Sequence, residues 1–368
     1  MEFIDVKTQY RKYKEEIDAA IHTVLDHGFF IMGPEVKQLE AQLAAYTGVK
    51  HCISAASGTD TLMMALMAYG IGPGDEVITV PWTWISTVEV VALVGAKPVF
   101  VDIDPKTFNI DLDQVEAAIT PRTKAIIPVS LYGQMPDMDR LNAIAKKHGI
   151  PVIEDGAQSF GATQRGKRSC GVTDVASTSF YPAKTLGCYG DGGALFTNDD
   201  EFAAKLRAIR VHGCGEIRNH HTYIGITGRC DTIQAAILLV KLKYFDEELT
   251  ARERVAARYS KALREACVVP EIAEGNTHVY HQYTIRVSDR DGLAKFLAQH
   301  DIPTAIHYPK CVHHQPCFAY LNHGVGAFPV AEQAAHEVIS LPMHPWLSEA
   351  DQDKVCEKIC EFAALPVA

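Results

Sequence analysis

Short apolar runs alternate along the chain with longer stretches in which apolar side chains recur every three or four residues. "DEVITV" (Asp75–Val80), "KPVFVDI" (Lys97–Ile103), "KAIIPVS" (Lys124–Ser130) and "IPVIEDG" (Ile150–Gly156) are apolar, β-branched runs bounded by turn formers. They read as buried strands. Helical periodicity starts at Ser86, and "DMDRLNAIAKKHG" (Asp137–Gly149) is amphipathic and ends on a glycine stop. Two helices come earlier, roughly over Gln9–His27 and Pro34–Tyr46. Strand and helix in alternation predict an α/β unit with a mostly parallel central sheet. Farther on, Thr232–Ala266 reads as one long helix leading into a smaller α+β unit, with a strand over His278–Val287 and a helix over Arg290–Asp301. The expected division is therefore 1–245 and 246–368.

Parallel sheets bind ligands beyond the carboxyl ends of their strands. Asp155 stands at such an end, just after "PVIE". It reads either as a turn or helix-capping residue or as the partner of a protonated cofactor nitrogen. Lys184, in "SFYPAKTLGCYGDGGALFT" (Ser179–Thr197), keeps apolar and small company. A lysine is ordinarily a snorkelling surface residue, but a desolvated one has a lowered pKa and attacks carbonyls. "AASGTDTL" (Ala55–Leu62) sets Ser57, Gly58 and Thr59 before a helical run, where backbone amides can receive a phosphate; capping alone explains the same residues. "VPWTWIST" (Val80–Thr87) offers Trp84 to an aromatic ring or to the core.

Composition narrows the field. The 368 residues carry a net charge of −10, with 47% hydrophobic and 22% charged positions, which fits a globular enzyme and argues against a nucleic-acid footprint. Ten scattered cysteines without a C-x-x-C pair point to reduced thiols in the cytoplasm rather than a disulfide framework. The first residues lack an apolar signal segment, and no run of about 18 apolar residues predicts a membrane span. "GATQRGKR" (Gly161–Arg168) lacks the Ser or Thr of a nucleotide-triphosphate loop, and "GCYGDGG" is not a dinucleotide fingerprint. The histidine pairs at 220–221 and 313–314 come without the spacing of a zinc motif, so no metal is expected. A G-x-S-x-G nucleophile elbow is missing too.

Taken together, "ASGTD", "VPWTWIST", "VIEDGAQSFGA" and "SFYPAKTLGCYGDGGALFTND" resemble, in order, the pyridoxal-phosphate-dependent nucleotide-sugar aminotransferases of the DegT/DnrJ/EryC1/StrS group. "FIMGPEV" (Phe30–Val36), "GRCDTIQAAIL" (Gly228–Leu238) and "LPMHPWLSEADQ" (Leu341–Gln352) extend the likeness over essentially the whole chain. The resemblance implies an aspartate-aminotransferase-like (PLP type I) fold. It also implies a large cofactor-binding domain and a homodimer with shared active sites. It carries Lys184 over as the lysine that forms the cofactor imine, Asp155 as the partner of the pyridine nitrogen, Gln158 as a contact on the ring-hydroxyl side and Trp84 as the stacking ring. Ser57, Gly58, Thr59 and Ser179 would hold the phosphate. Thr227 stands where the family usually has an asparagine reaching the phosphate from the neighbouring subunit. Phe30, Met32, Arg229, His307, Tyr308 and His313 are the implied substrate contacts, although Cys311 replaces a frequent proline in that last region. "AAITPRTKAIIPVSLYGQ" (Ala117–Gln134) and "GKRSC" (Gly166–Cys170) are most similar to members acting on UDP-2-acetamido-2-deoxy-3-oxo-glucuronate with L-glutamate as amino donor, in lipopolysaccharide O-antigen sugar synthesis. A 4-keto-6-deoxy nucleotide sugar, a dehydratase and a non-catalytic regulator are the alternatives within the same fold.

Overall fold

The computed structural model describes residues 1–365 apart from 216 and 218. The helices are α1 (Val6–Lys12), α2 (Lys14–His27), α3 (Pro34–Thr47), α4 (Gly58–Tyr69), α5 (Ser86–Leu93), α6 (Leu112–Ala118), α7 (Met138–His148), α8 (Asp200–Ile209), α9 (Thr232–Leu242), α10 (Phe245–Leu263), α11 (Arg290–Gln299), α12 (Pro329–Glu337) and α13 (Glu349–Ala363). The strands are β1 (His51–Ala55), β2 (Glu76–Thr79), β3 (Lys97–Phe100), β4 (Thr123–Ile126), β5 (Ile153–Asp155), the short hairpin β6–β7 (Thr163–Gln164 and Lys167–Arg168), β8 (Val175–Ser179), β9 (Gly193–Thr197), β10 (Tyr283–Arg286) and β11 (Val338–Leu341).

The central sheet runs β3-β2-β4-β5-β8-β9-β1, with β4 joined to β5 through parallel bridges at Ile126–Val152 and Val129–Asp155. Strand β9 alone runs against its neighbours β8 and β1. The sheet is thus mostly parallel, as the alternating pattern predicts. Successive residues face opposite sides: Val77, Ala125 and Ile153 enter one apolar core, and Ile78, Ile126 and Val152 enter the other. Burial on both faces explains why these strands read as continuous apolar runs. A further core forms where α10, α11 and α13 surround the antiparallel pair β10–β11, around Tyr259, Tyr283, Leu297 and Ile339.

The sequence pattern and the structure part company at three places. The expected helix Gln9–His27 is interrupted at Tyr13, and the expected helix Thr232–Ala266 is interrupted at Lys243 and Tyr244. Neither break holds a proline or glycine. Tyr13 and Tyr244 leave the helical region together (φ −110°, ψ 18° and φ −107°, ψ 2°) and stack face to face, 4.1 Å between ring centroids. Tyr244 also donates its hydroxyl proton to Glu16. A tertiary contact between two aromatic rings sets both breaks, and local propensity carries no sign of it. The third difference is the strand expected over His278–Val287. Only Tyr283–Arg286 pairs; the residues before it form a loop in which Tyr280 adopts φ 48° and His281 and Gln282 turn into a cleft.

Candidate active site

Five segments end at one place. β1 runs through 56–57 into α4, β2 runs through 80–85 into α5, β5 ends on Asp155, and β8 ends on Ser179. Residues 180–192 then form the loop that carries Lys184 before β9 returns. Between them lies a cleft of about 450 Å³, a size suited to a small-molecule ligand. Ser57, Gly58, Thr59, Trp84, Asp155, Gln158, Ser179, Lys184, His307 and Tyr308 all line it. Ser57 and Ser179 meet because parallel strands bring their carboxyl ends to one edge, and His307 and Tyr308 join them from a loop outside the central sheet.

The cradle at one end is built by close approach. Ser57 caps α4 by accepting from the Asp60 amide at 3.0 Å. A Cβ on Gly58 would stand 2.8 Å from Ser179 Cβ, and one on Gly193 would stand 2.6 Å from the Ser57 carbonyl. Glycine at both positions lets β8, β9 and the start of α4 touch. The Gly58 and Thr59 amides have no acceptor among the described residues, so the positive end of the helix dipole faces the cleft. Thr59 Oγ1 and Ser86 Oγ share a 2.8 Å hydrogen bond across that end.

Asp155 is buried at the opposite wall. Its carboxylate accepts from Thr87 Oγ1 at 2.8 Å and from the Ala157 amide at 3.1 Å. Burial raises its pKa, and the Thr87 and Ala157 hydrogen bonds and the charge of Lys184 oppose that rise. The neighbouring Glu154 is fully buried and accepts from Ser130, Ser169 and the Cys170 amide at 2.7–2.8 Å; burial raises its pKa as well. Lys184 opens onto the cleft, but the surrounding protein removes most solvent from its ammonium. Burial lowers its pKa to about 8, with the charge of Asp155 as the opposing influence. Among the described residues nothing accepts a hydrogen bond from Lys184 Nζ. His307 and His281 both face this positive charge. Burial and Lys184 lower His307 to about 4 and take His281 well below the usual imidazole value, with Arg252 and His307 also acting on His281.

Gln158 is already committed on two sides. Its Oε1 accepts from the Tyr132 amide at 2.8 Å, and its Nε2 donates to the Tyr308 hydroxyl at 3.0 Å. Trp84 is 59% exposed and stands 6.1 Å from the Tyr308 ring, which leaves one face of its indole free at the cleft mouth. Four expected contacts lie elsewhere on this chain, and a fifth, Met32, lies against the α3 core. Phe30 is 48% exposed next to exposed Phe29 and Ile31. Thr227 is exposed and pairs with His212 at 2.7 Å. Arg229 is half-buried, with its Nε unpartnered. His313 is buried against Glu332 at 3.3 Å, outside the cleft.

The cleft also holds residues that motif reading did not single out. Thr87 orients Asp155, and His281 and Gln282 present a buried Nδ1 and Oε1 without a partner. A carboxylate inside the buried run "PVIED" is a sequence signal for Glu154, since acidic residues are rarely buried unless paired. Thr87 and the 281–282 pair carry no comparable signal. Pyridoxal phosphate fits this donor set. The amide cradle suits a phosphate, and the free lysine amine suits an aldehyde. The buried carboxylate suits a protonated ring nitrogen, and the exposed indole face suits an aromatic ring.

Comparison with known proteins agrees. The DegT/DnrJ/EryC1/StrS aminotransferase family matches residues 11–360. The chain is 54% identical over 357 residues to the UDP-2-acetamido-2-deoxy-3-oxo-D-glucuronate aminotransferase of Pseudomonas aeruginosa, covering 97% of this chain and 98% of that one. It is 50% identical over 363 residues to a pleiotropic regulatory protein of Geobacillus stearothermophilus, covering 98% and 97%. The crystal structure of ntda from Bacillus subtilis with bound cofactor PMP superposes with a TM-score of 0.93 at 33% identity, covering 99% of this chain and 85% of that one. With a single cleft framed by these residues and a family match across nearly its full length, the chain belongs to the DegT/DnrJ/EryC1/StrS aminotransferase family.

Proposed function

We propose that this chain moves the amino group of L-glutamate to the keto carbon of UDP-2-acetamido-2-deoxy-3-oxo-D-glucuronate, with pyridoxal phosphate as its cofactor. The observation that carries the reading is Lys184: an amine with no partner among the described residues, its pKa lowered by burial to about 8, facing a buried carboxylate across a cleft. The choice of sugar follows the 54% identical P. aeruginosa enzyme.

The bound cofactor supplies a carbonyl carbon that exchanges amino groups and a ring that absorbs carbanion charge. Lys184 Nζ would hold that carbonyl carbon at rest. When freed, it takes the α proton of the amino donor as general base and returns a proton as general acid. Its lowered pKa makes both steps accessible near neutral pH. Asp155 would keep the ring nitrogen protonated, and Thr87 holds the carboxylate aimed. The α4 amides, with Ser57, Thr59 and Ser179, would take the phosphate, and Trp84 would cover a ring face and exclude water. Gln158, its amide fixed by Tyr308, would meet the ring-hydroxyl side.

Phe30, Met32, Thr227 and Arg229 stand outside their own chain's cleft, and we assign them to the cleft of a second copy in a homodimer. Exposure of Phe29, Phe30 and Ile31 together supports that assignment. All ten cysteines are free, which suits the cytoplasm. Among the described residues no helix is long and apolar enough to cross a membrane.

The deciding experiment gives purified enzyme L-glutamate and a panel of UDP- and dTDP-linked keto sugars and weighs the products. Amination of the 3-oxo-glucuronate alone supports the proposal. Preference for a 4-keto-6-deoxy sugar moves the substrate while leaving the chemistry. Absence of any 2-oxoglutarate release would remove the activity and favour a regulatory role.

A further inference from the structure

Residues 311–316 leave the cleft after His307 and Tyr308, and a short 3-10 turn, Val312–His314, presents two histidines to α12. His313 Nε2 lies 3.3 Å from Glu332 Oε1, and His314 Nε2 lies 4.0 Å from the same oxygen. The three ligand atoms lie within 4.8 Å of one another. The two imidazole rings are 3.9 Å apart.

His313 Nε2 hydrogen-bonds Glu332, but among the described residues His314 Nε2, beside the same carboxylate, is buried without a hydrogen-bond partner, as is the other His313 nitrogen, Nδ1. Buried imidazole nitrogens ordinarily find one, because an unmade bond costs about 1–3 kcal/mol. The Phe100 and Phe328 rings pack on His313, with centroids 6.3 and 4.9 Å from its own. Glu332 is held in place by the Gly326 and Phe328 amides at 2.7 and 3.1 Å, so its carboxylate is fixed.

We propose that His313, His314 and Glu332 form a binding site for a divalent zinc-class cation. Two imidazoles and a carboxylate are the donor set that zinc prefers. With metal–ligand distances of about 2.0–2.1 Å, two ligands on a tetrahedron stand about 3.4 Å apart. The His313–Glu332 separation of 3.3 Å matches that edge, and His314, 4.0 Å from the same oxygen, closes the set by moving inward. The His314 side chain is 26% exposed, which gives the ion an entry path and leaves a fourth position to water. His323, its ring 6.3 Å from that of His313, stands next in line for that position. Glu332 lies 18 residues beyond His314, so the histidine pair alone shows no motif spacing. The ion would fasten 312–314 to α12. Val312 donates its amide to the Pro81 carbonyl in the loop that bears Trp84, so the clamp also steadies the wall carrying His307 and Tyr308.

The test uses holoenzyme dialysed against a chelator and then against micromolar zinc, with metal content read by mass spectrometry and melting temperature read beside it. About one zinc per chain, removable by chelator, with a higher melting temperature when loaded, is expected. His314→Leu should weaken binding at least tenfold. The His314 side chain makes no hydrogen bond among the described residues, and its backbone bond to the Cys311 carbonyl does not depend on the side chain, so this variant keeps the fold. Cys317→Ser and Cys360→Ser, at the two exposed thiols, should leave binding unchanged. If a variant misfolds, cobalt(II) in the unaltered protein decides. Four-coordinate visible bands without thiolate charge transfer support the site, and thiolate bands overturn it. Zinc content at background, or equal in parent and His314→Leu, also overturns it.

Discussion

Two lysines in this molecule have the same lowered pKa and opposite uses. Burial brings both Lys184 and Lys241 to about 8. Lys241 lies in α9, 1% exposed, donates to the Gly187 carbonyl at 2.6 Å and stands 4.2 Å from the centroid of the Tyr189 ring. Its charge is spent on the loop that carries Lys184, and buried Glu248 balances it. Lys184 has a cavity in front of it and no acceptor among the described residues. A lowered pKa therefore identifies desolvation and not catalysis. The open space and the facing carboxylate distinguish the two.

Removing each amine separates the roles most sharply. Lys184→Ala should lower transamination by roughly 10²–10⁴-fold, the usual share of a general acid–base, with an unchanged or higher melting temperature. Borohydride should no longer fix cofactor mass on the peptide holding residue 184. A variant that turned over like the parent would end the assignment. Asp155→Ala should cost roughly 10²-fold in activity, as for a lost charge-stabilising contact, while still binding cofactor measurably by absorbance.

Lys241→Met should act on stability instead. Losing a buried bond from a charged donor costs about 1–3 kcal/mol, read by denaturant unfolding, with kcat changed less than tenfold. If kcat fell as far as in Lys184→Ala with the fold intact, the contrast between the two lysines would collapse. Smaller still, Thr87→Val removes one hydrogen bond to Asp155, about 1–2 kcal/mol. It should raise the Asp155 pKa and move the acid limb of the pH–rate profile upward.

Acidity gives the finest test. In cofactor-free protein, acylation of Lys184 should titrate near pH 8 rather than 10.5. Asp155→Asn should push that midpoint lower, because the carboxylate favours the ammonium. Lys241 should stay unreactive until unfolding. The unfolded chain holds these lysine protons up to the ordinary value. Between about pH 8 and 10.5 it therefore binds more protons than the native chain, and each lysine makes stability rise with pH. Lys184→Ala and Lys241→Met should each flatten that rise relative to the parent.

Much of the fold was legible because burial on two faces writes itself into the strands as apolar runs. β2, β3 and β5 fall inside the predicted segments, β4 overlaps its own and starts one residue earlier, and α7, capped by Asp137, ends at the predicted Gly149 stop. The helix breaks at Tyr13 and Tyr244 were invisible, since each depends on the other ring across the fold. Asp155 and Lys184 were visible as charges in apolar company. Thr87, His281 and Gln282 looked like ordinary strand and helix residues; only their meeting at the cleft gives them meaning.

The sequence by itself determined the alternating α/β order, the residue types around Lys184 and the family pattern, because these depend on local periodicity and on side-chain chemistry at fixed spacing. Tertiary structure alone decided which of two desolvated lysines faces a cavity and where two long helices divide. It also decided that His313 and His314 turn away from the cleft toward Glu332. Those outcomes depend on distances between residues remote in the chain, set when the sheet closes and its two faces are buried.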